Sequence, residues 1–198
     1  MHPNIRQGGL ELIAAVLPCI AMNLGRVFLT GQPGCGKTTV IANVIQMLSS
    51  RGIRPGGMIS GEMREAGVRV GFSIEDIVTH EIGILAHTDY REGPHVGKYH
   101  VNLFDVDRIG VAAIKRALSD ADLVIVDELG PMELHSLPFI NAVRTALSST
   151  KPFLGTIHKR ANHPLVTSIR SNTDYRIIEV TTENRRELPG RIVEQFAG

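Results

Sequence analysis

The chain has 198 residues, 43% hydrophobic and 21% charged, the make-up of a globular domain rather than a disordered or collagen-like chain. Lysine plus arginine total 21 against 20 aspartate plus glutamate, a formal charge of +1, so charge balance gives no strong signal for nucleic acid or for an anionic membrane. Two cysteines, Cys19 and Cys35, make neither a disulfide framework nor a metal cluster, and they fit a reducing cytosol.

Leu12–Met22 is an apolar run broken by Pro18 and too short to cross a bilayer. With Arg6 ahead of it, the run faintly resembles a signal peptide. A packed helix, a tail outside the fold and a natural start at Met22 are the other readings. Residues 1–25 are taken as an N-terminal extension and residues 26–198 as one domain. A strand is predicted over Arg26–Thr30 and a helix over Lys37–Ser50, closed by Gly52. Gly56–Glu62 and Val68–Ser73 read as strands joined by a turn at Glu65-Ala66-Gly67. Val68, Val70 and Phe72 alternate with Arg69, Gly71 and Ser73, the pattern of a half-solvated antiparallel hairpin. Glu81–His87 and Tyr99–Leu103 are short strand candidates around a loop, Asp89–Lys98, that holds Gly93, Pro94 and Gly97. A helix is expected over Asp107–Ser119, with Ile109, Ala113 and Ala117 on its apolar face. Leu123–Val126 is a continuous apolar run, as in a parallel strand covered on both faces. A helix starts near Leu137-Pro138, with Ser136 as its cap. Strands at Phe153–Ile157 and Arg176–Val180 and a helix near Pro189–Phe196 follow. Strands alternating with helices predict an α/β fold with a mostly parallel central sheet and the antiparallel hairpin as an insertion.

The chemistry is concentrated between the first strand and the first helix. Gly31-Gln32-Pro33-Gly34-Cys35-Gly36-Lys37-Thr38 fits the phosphate-loop pattern G-x-x-x-x-G-K-[ST], in the strand–loop–helix context that gives the pattern meaning. Glycines allow the backbone N–H groups to turn inward and form an anion-binding concavity. The helix that begins there adds unpaired donors and the positive end of its dipole. Lys37 supplies an ammonium for the β- and γ-phosphates, and Thr38 a hydroxyl for Mg²⁺.

The second half of the site is Leu123-Val124-Ile125-Val126-Asp127-Glu128. An apolar strand ending in an acid delivers Asp127 to the carboxyl edge of the sheet, where it can hold Mg²⁺. Glu128, one residue on, can orient or polarise the attacking water. The Asp–Glu pair goes with an extra strand between the loop strand and the metal strand, and Phe153–Ile157 is the expected insertion. His158 at its end is a candidate γ-phosphate sensor or a plain loop histidine. The fold expected is thus the P-loop NTPase three-layer fold. Its nucleotide-binding set is Gly31, Gln32, Pro33, Gly34, Cys35, Gly36, Lys37, Thr38 and Thr39, with Leu123, Val124, Ile125, Val126, Asp127, Glu128, Leu129 and Gly130. Lys37 and Glu128 are the catalytic candidates, Thr38 and Asp127 the metal ligands.

Four stretches carry a resemblance. They are Gly31–Thr39; Gly61-Glu62-Met63-Arg64-Glu65-Ala66-Gly67-Val68-Arg69-Val70-Gly71-Phe72; Val96-Gly97-Lys98-Tyr99; and Val126-Asp127-Glu128-Leu129-Gly130-Pro131-Met132-Glu133. In order and spacing the chain resembles the small nucleoside-triphosphatase family that includes cancer-related nucleoside-triphosphatase. The segment before Val27 is a departure from that family. The resemblance implies slow hydrolysis of ATP, GTP and other nucleoside triphosphates, with Mg²⁺ and loose base selection, and it implies that Glu62, Arg64 and Arg69 matter without assigning them chemistry. Arg64 can be a cis arginine finger or a solvated charge pairing with Glu62 or Glu65; Arg91, Arg160, Arg185 and Arg186 are rivals for the finger. A cytoplasmic address is expected, because the loop needs cytosolic nucleotide. Two other functions remain open on these residues: a nucleotide or small-metabolite kinase, and a nucleotide-switched binding module. The residues name no protein partner.

Overall fold

The computed structural model describes residues 25–197; the apolar run Leu12–Met22 and the start at Met22 lie outside them. Strand β1 (Arg26–Thr30) leads through a six-residue loop to helix α1 (Lys37–Ser50), with the bounds expected. Strands β2 (Pro55–Glu65) and β3 (Val68–Asp76) form the hairpin, longer than predicted. Its turn has Ala66 at φ 46° and Gly67 at φ 82°, the left-handed pair of a type I′ turn, whose twist matches that of the strands. Strands β4 (Ile82–His87), β5 (His95–Val96) and β6 (Tyr99–Val101) extend the antiparallel part. The two-residue β5 lies within the stretch expected to be loop. Gly97 at φ 62° reverses the chain there, and His95 then pairs with His100.

The next helical stretch starts earlier than its periodicity suggests. It comprises α2 (Leu103–Asp105), a π-helical turn (Val106–Val111) and α3 (Ala112–Asp120). Asn102 caps it, its side chain accepting from Asp105 N at 3.4 Å and donating to Asp105 Oδ2 at 3.0 Å, which satisfies a first-turn donor. Strand β7 (Leu123–Leu129), a 3₁₀ turn (Glu133–His135) and helix α4 (Leu137–Ser148) follow. Ser136 Oγ accepts from Phe139 N at 3.0 Å, the predicted cap. Strand β8 (Phe153–Ile157), helix α5 (Pro164–Ser171), strand β9 (Tyr175–Glu179) and helix α6 (Leu188–Ala197) complete the described chain. No helix was expected at α5. It starts on Pro164, with His163 Nδ1 accepting from Leu165 N at 3.2 Å.

The described strands form one sheet in the order β5-β6-β4-β3-β2-β7-β8-β1-β9. From β2 to β9 every neighbouring pair is parallel; from β5 to β2 every pair is antiparallel. Alternation along the strands builds the layers. Val27 and Leu29 of β1, with Leu123 and Ile125 of β7, face a core completed by Val40, Ile41 and Val44 of α1 and by Ile192 and Val193 of α6. Phe28, Val124 and Val126 face the opposite core, with Ile114 of α3, Phe139 and Val143 of α4 and Leu165 of α5. Helices therefore cover both faces of the parallel region, which is why β7 can be apolar without a break. Strand β8 lies between β1 and β7, as the Asp–Glu pair predicted. Among the described residues no helix is long and apolar enough to cross a membrane.

Candidate functional site

The loop between β1 and α1 is shaped by close backbone approach. Gly31 adopts φ 149°, and a Cβ there would lie 2.7 Å from Val180 O and 2.8 Å from Cys35 Sγ. Val180 N donates to Thr30 O at 2.7 Å, so the segment after β9 is fastened to the start of the loop. Within the loop, Cys35 N donates to Gln32 O at 3.1 Å. Gly36, at φ 106°, precedes α1 without any side-chain cap. The opening N–H groups of a 14-residue helix are thus left for a ligand, and an anion is what they attract. Gln32, Pro33, Gly34, Thr38 and Thr39 are exposed around this cradle, whereas Lys37 is buried.

The acids arrive from β7 with Lys37 facing them. Lys37 Nζ lies 3.8 Å from Glu128 Oε1. Asp127 is fully buried, and Thr156 Oγ1 of β8 donates to its Oδ1 at 2.5 Å. The pairing of β7 with β8 shifts register between Val126 and Leu129, where the two carboxylates leave the ladder. Asp127 Oδ2 and Glu128 Oε1 are buried without a hydrogen-bond partner. A buried acceptor left unpaired is costly, and two beside an ammonium and an anion cradle mark an incomplete site. Burial raises the Asp127 carboxyl above its ordinary value against the pull of the Thr156 and Thr38 hydroxyls and of Lys37. Burial likewise pushes Glu128 up to about 7; Lys37 opposes this and Asp127 adds to it.

The orphaned Asp127 oxygen and the Thr38 hydroxyl are hard oxygen donors, and they fit a small divalent cation shared with phosphate. Among the described residues no group of three or more His, Cys, Asp and Glu side chains is arranged to hold a metal. A cation that keeps waters and binds substrate phosphate needs only one or two protein ligands.

The other candidates sit at different distances from this centre. Leu123, Val124, Ile125, Val126 and Leu129 are fully buried inside the sheet and deliver the acids. Gly130 N donates to Glu133 Oε2 at 3.1 Å. Glu133 is a buried carboxyl pushed up to about 8, chiefly by burial. Glu133 closes the Val126–Glu133 stretch, where nothing in the sequence gives it a role; its burial depends on how the turn after β7 folds back. His158 follows β8, its N–H bonded to Leu129 O at 3.2 Å. Its imidazole is held below its ordinary value by burial and then by the charges of Lys37, Arg160 and Arg170. Glu62, Arg64 and Arg69 form a separate cluster on the hairpin. Ile59 pairs with Asp127, so Arg64 stands five residues further along β2, about 16 Å at the usual strand rise. Arg64 donates to Glu62 Oε2 at 2.6 Å and to Gly67 O at 2.9 Å. Arg69 donates to Glu62 Oε1 at 2.7 Å and to Tyr99 Oη at 3.0 Å.

An uncapped glycine cradle, a buried lysine and an acidic strand tip two strands away define a P-loop NTPase. Comparison with known proteins narrows the class. A family model described as NTPase matches residues 26–193. The nucleoside-triphosphatase THEP1 of Thermofilum pendens is 44% identical over 170 residues, covering 85% of this chain and 93% of the relative. That of Methanosarcina acetivorans is 44% identical over 172 residues, covering 86% and 96%. The crystal structure of THEP1 from Aquifex aeolicus superposes with a TM-score of 0.77 at 30% identity, covering 87% of this chain and 99% of that one. The solution structure of a human cancer-related nucleoside triphosphatase gives 0.72 at 35% identity, covering 86% and 96%. The chain belongs to the NTPase family.

Proposed function

We propose that the chain is a Mg²⁺-dependent nucleoside-triphosphate phosphohydrolase that converts ATP, GTP and other nucleoside triphosphates to the diphosphate and phosphate. As a member of its family it is a nucleoside-triphosphatase; the metal and the breadth of base are our reading. The observation that carries it is the pair of buried oxygens without a hydrogen-bond partner, Asp127 Oδ2 and Glu128 Oε1, the second of them 3.8 Å from Lys37 Nζ.

The loop N–H groups and Lys37 hold the β- and γ-phosphates. Thr38 and Asp127 would hold the magnesium, which when bound neutralises charge on the phosphate oxygens. Thr156 fixes the Asp127 carboxylate through its 2.5 Å bond, leaving the other oxygen free for the cation. Glu128 orients the attacking water at the γ-phosphorus and accepts its proton. Gln32, Pro33, Gly34, Cys35, Gly36 and Thr39 shape the rest of the cradle. None of these groups reads a base, which supports broad substrate use. We assign residues 26–198 to one catalytic domain and place it in the cytoplasm, with the nucleoside triphosphate as its partner. Steady-state phosphate release from ATP, GTP, CTP and UTP, with Mg²⁺ and with EDTA, tests the reading. Release from all four that stops with EDTA is expected. Release only when an acceptor alcohol or nucleotide is added would make the protein a kinase instead.

A further inference from the structure

A triphosphate in the loop has a direction as well as a place. Asp127, Glu128 and Thr156 stand at the ends of β7 and β8, on one side of β1, and β9 stands on the other. A row of phosphates whose terminal member faces the acids therefore carries its nucleoside toward the β9 side. The segment between β9 and α6 lies there, and it is firmly tied. Thr181 N donates to Asn184 Oδ1 at 2.9 Å, Asn184 Nδ2 donates to Glu179 O at 2.8 Å, and Arg185 N donates to Thr181 O at 3.1 Å. With Val180 fastened to Thr30, the segment is fixed relative to the cradle.

This segment lays Arg185 along the loop. A Cβ on Gly36 would lie 3.4 Å from Arg185 Cδ and 3.7 Å from its Nη1, and Nη1 donates to Cys35 O at 3.5 Å. The contact spans 150 residues of sequence. The arginine stem therefore lies within van der Waals reach of position 36, over the mouth of the cradle. The side chain is exposed, and that long contact to a carbonyl is a weak one, which leaves the face of the guanidinium available.

We propose that Arg185 is the nucleoside-side residue of the site, its planar guanidinium stacking on the base while the loop and Lys37 hold the phosphates. The inference rests on reading the loop as a triphosphate site. Every base has a π-face, so a stacked guanidinium adds affinity without selecting among bases. Binding of a non-hydrolysable ATP analogue and of inorganic tripolyphosphate, both with Mg²⁺, separates this role from phosphate contact. In calorimetry Arg185→Ala and Arg185→Lys should each weaken the ATP analogue about tenfold, or about 1.4 kcal/mol, because lysine keeps the charge and lacks the plane. Neither should weaken tripolyphosphate more than about twofold. An equal loss for both ligands would make Arg185 a phosphate ligand and overturn the proposal. So would unchanged affinity in Arg185→Ala, or full recovery in Arg185→Lys. Lys37→Ala should weaken both ligands. If it weakens neither, the triphosphate reading itself fails, an outcome that no Arg185 variant can imitate.

Discussion

The cradle-and-acid centre and the Glu62–Arg64–Arg69 hairpin are both charged, but only the hairpin is satisfied. On the hairpin each guanidinium meets a carboxylate or a carbonyl, Tyr99 closes the network, and all three side chains keep solvent contact. At the end of β7, buried Asp127 and half-buried Glu128 each keep one buried oxygen without a hydrogen-bond partner. A polar network that closes on itself holds a structure together; one buried and left open awaits a ligand. Charge density alone does not separate the two, and satisfaction does.

That contrast predicts a graded response. The largest effect belongs to Glu128→Gln, which should lower kcat at least about 100-fold, the usual weight of a positioned base, while ATP still binds. The same variant should melt at a higher temperature at pH 8. The folded Glu128 carboxyl is raised to about 7, so its ionisation destabilises the fold as pH rises through that value, and glutamine removes the penalty. A variant that keeps full activity would remove Glu128 from the mechanism. Next comes Thr156→Val, which strips Asp127 of its 2.5 Å donor. The Mg²⁺ concentration for half-maximal phosphate release should rise about tenfold, the size of one lost charged hydrogen bond; an unchanged metal titration would leave Thr156 with a packing role only.

The hairpin should respond far less. Arg64→Ala breaks an exposed pair with Glu62 and should cost less than about 1 kcal/mol in urea unfolding, with phosphate release within about threefold of wild type. A loss of 10³ or more, the weight of an arginine finger, would erase the distinction between the regions. The smallest effect is at Arg54–Asp122, which joins the starts of β2 and β7. Arg54 holds the Asp122 carboxyl down at about 2 against an ordinary 3.8. A depressed folded value means stabilisation that is present above about 4 and lost as pH falls toward about 2. Asp122→Asn should therefore shift Tm slightly at pH 7, and the gap from wild type should shrink below pH 3.

Much of this was legible in the chain. The glycine loop marks where β1 must end and α1 begin, and Ser136 before Leu137-Pro138 marks the start of α4, because these signals are local chemistry. The stretch Asp107–Ser119 showed its apolar face but not its start, since Asn102 capping Asp105 looks like any polar loop residue. Helix α5 hid because it opens on a proline behind a histidine cap, away from the usual Ser, Thr, Asp or Asn signal. Glu133 has no site role legible in the sequence, and Arg185 is there only one of several rival arginines, for another reason. Burial of Glu133 and the lie of Arg185 over Gly36 exist only once distant segments meet, and no periodicity encodes that.

The position of β8 has one more consequence. With one strand between them, β1 and β7 are set about 9.6 Å apart, twice the ordinary inter-strand spacing. Cradle and acids are therefore held across a fixed gauge, wide enough for a phosphoryl group with a water behind it. Because that gauge is set by backbone ladders, it does not depend on which side chains line the rim.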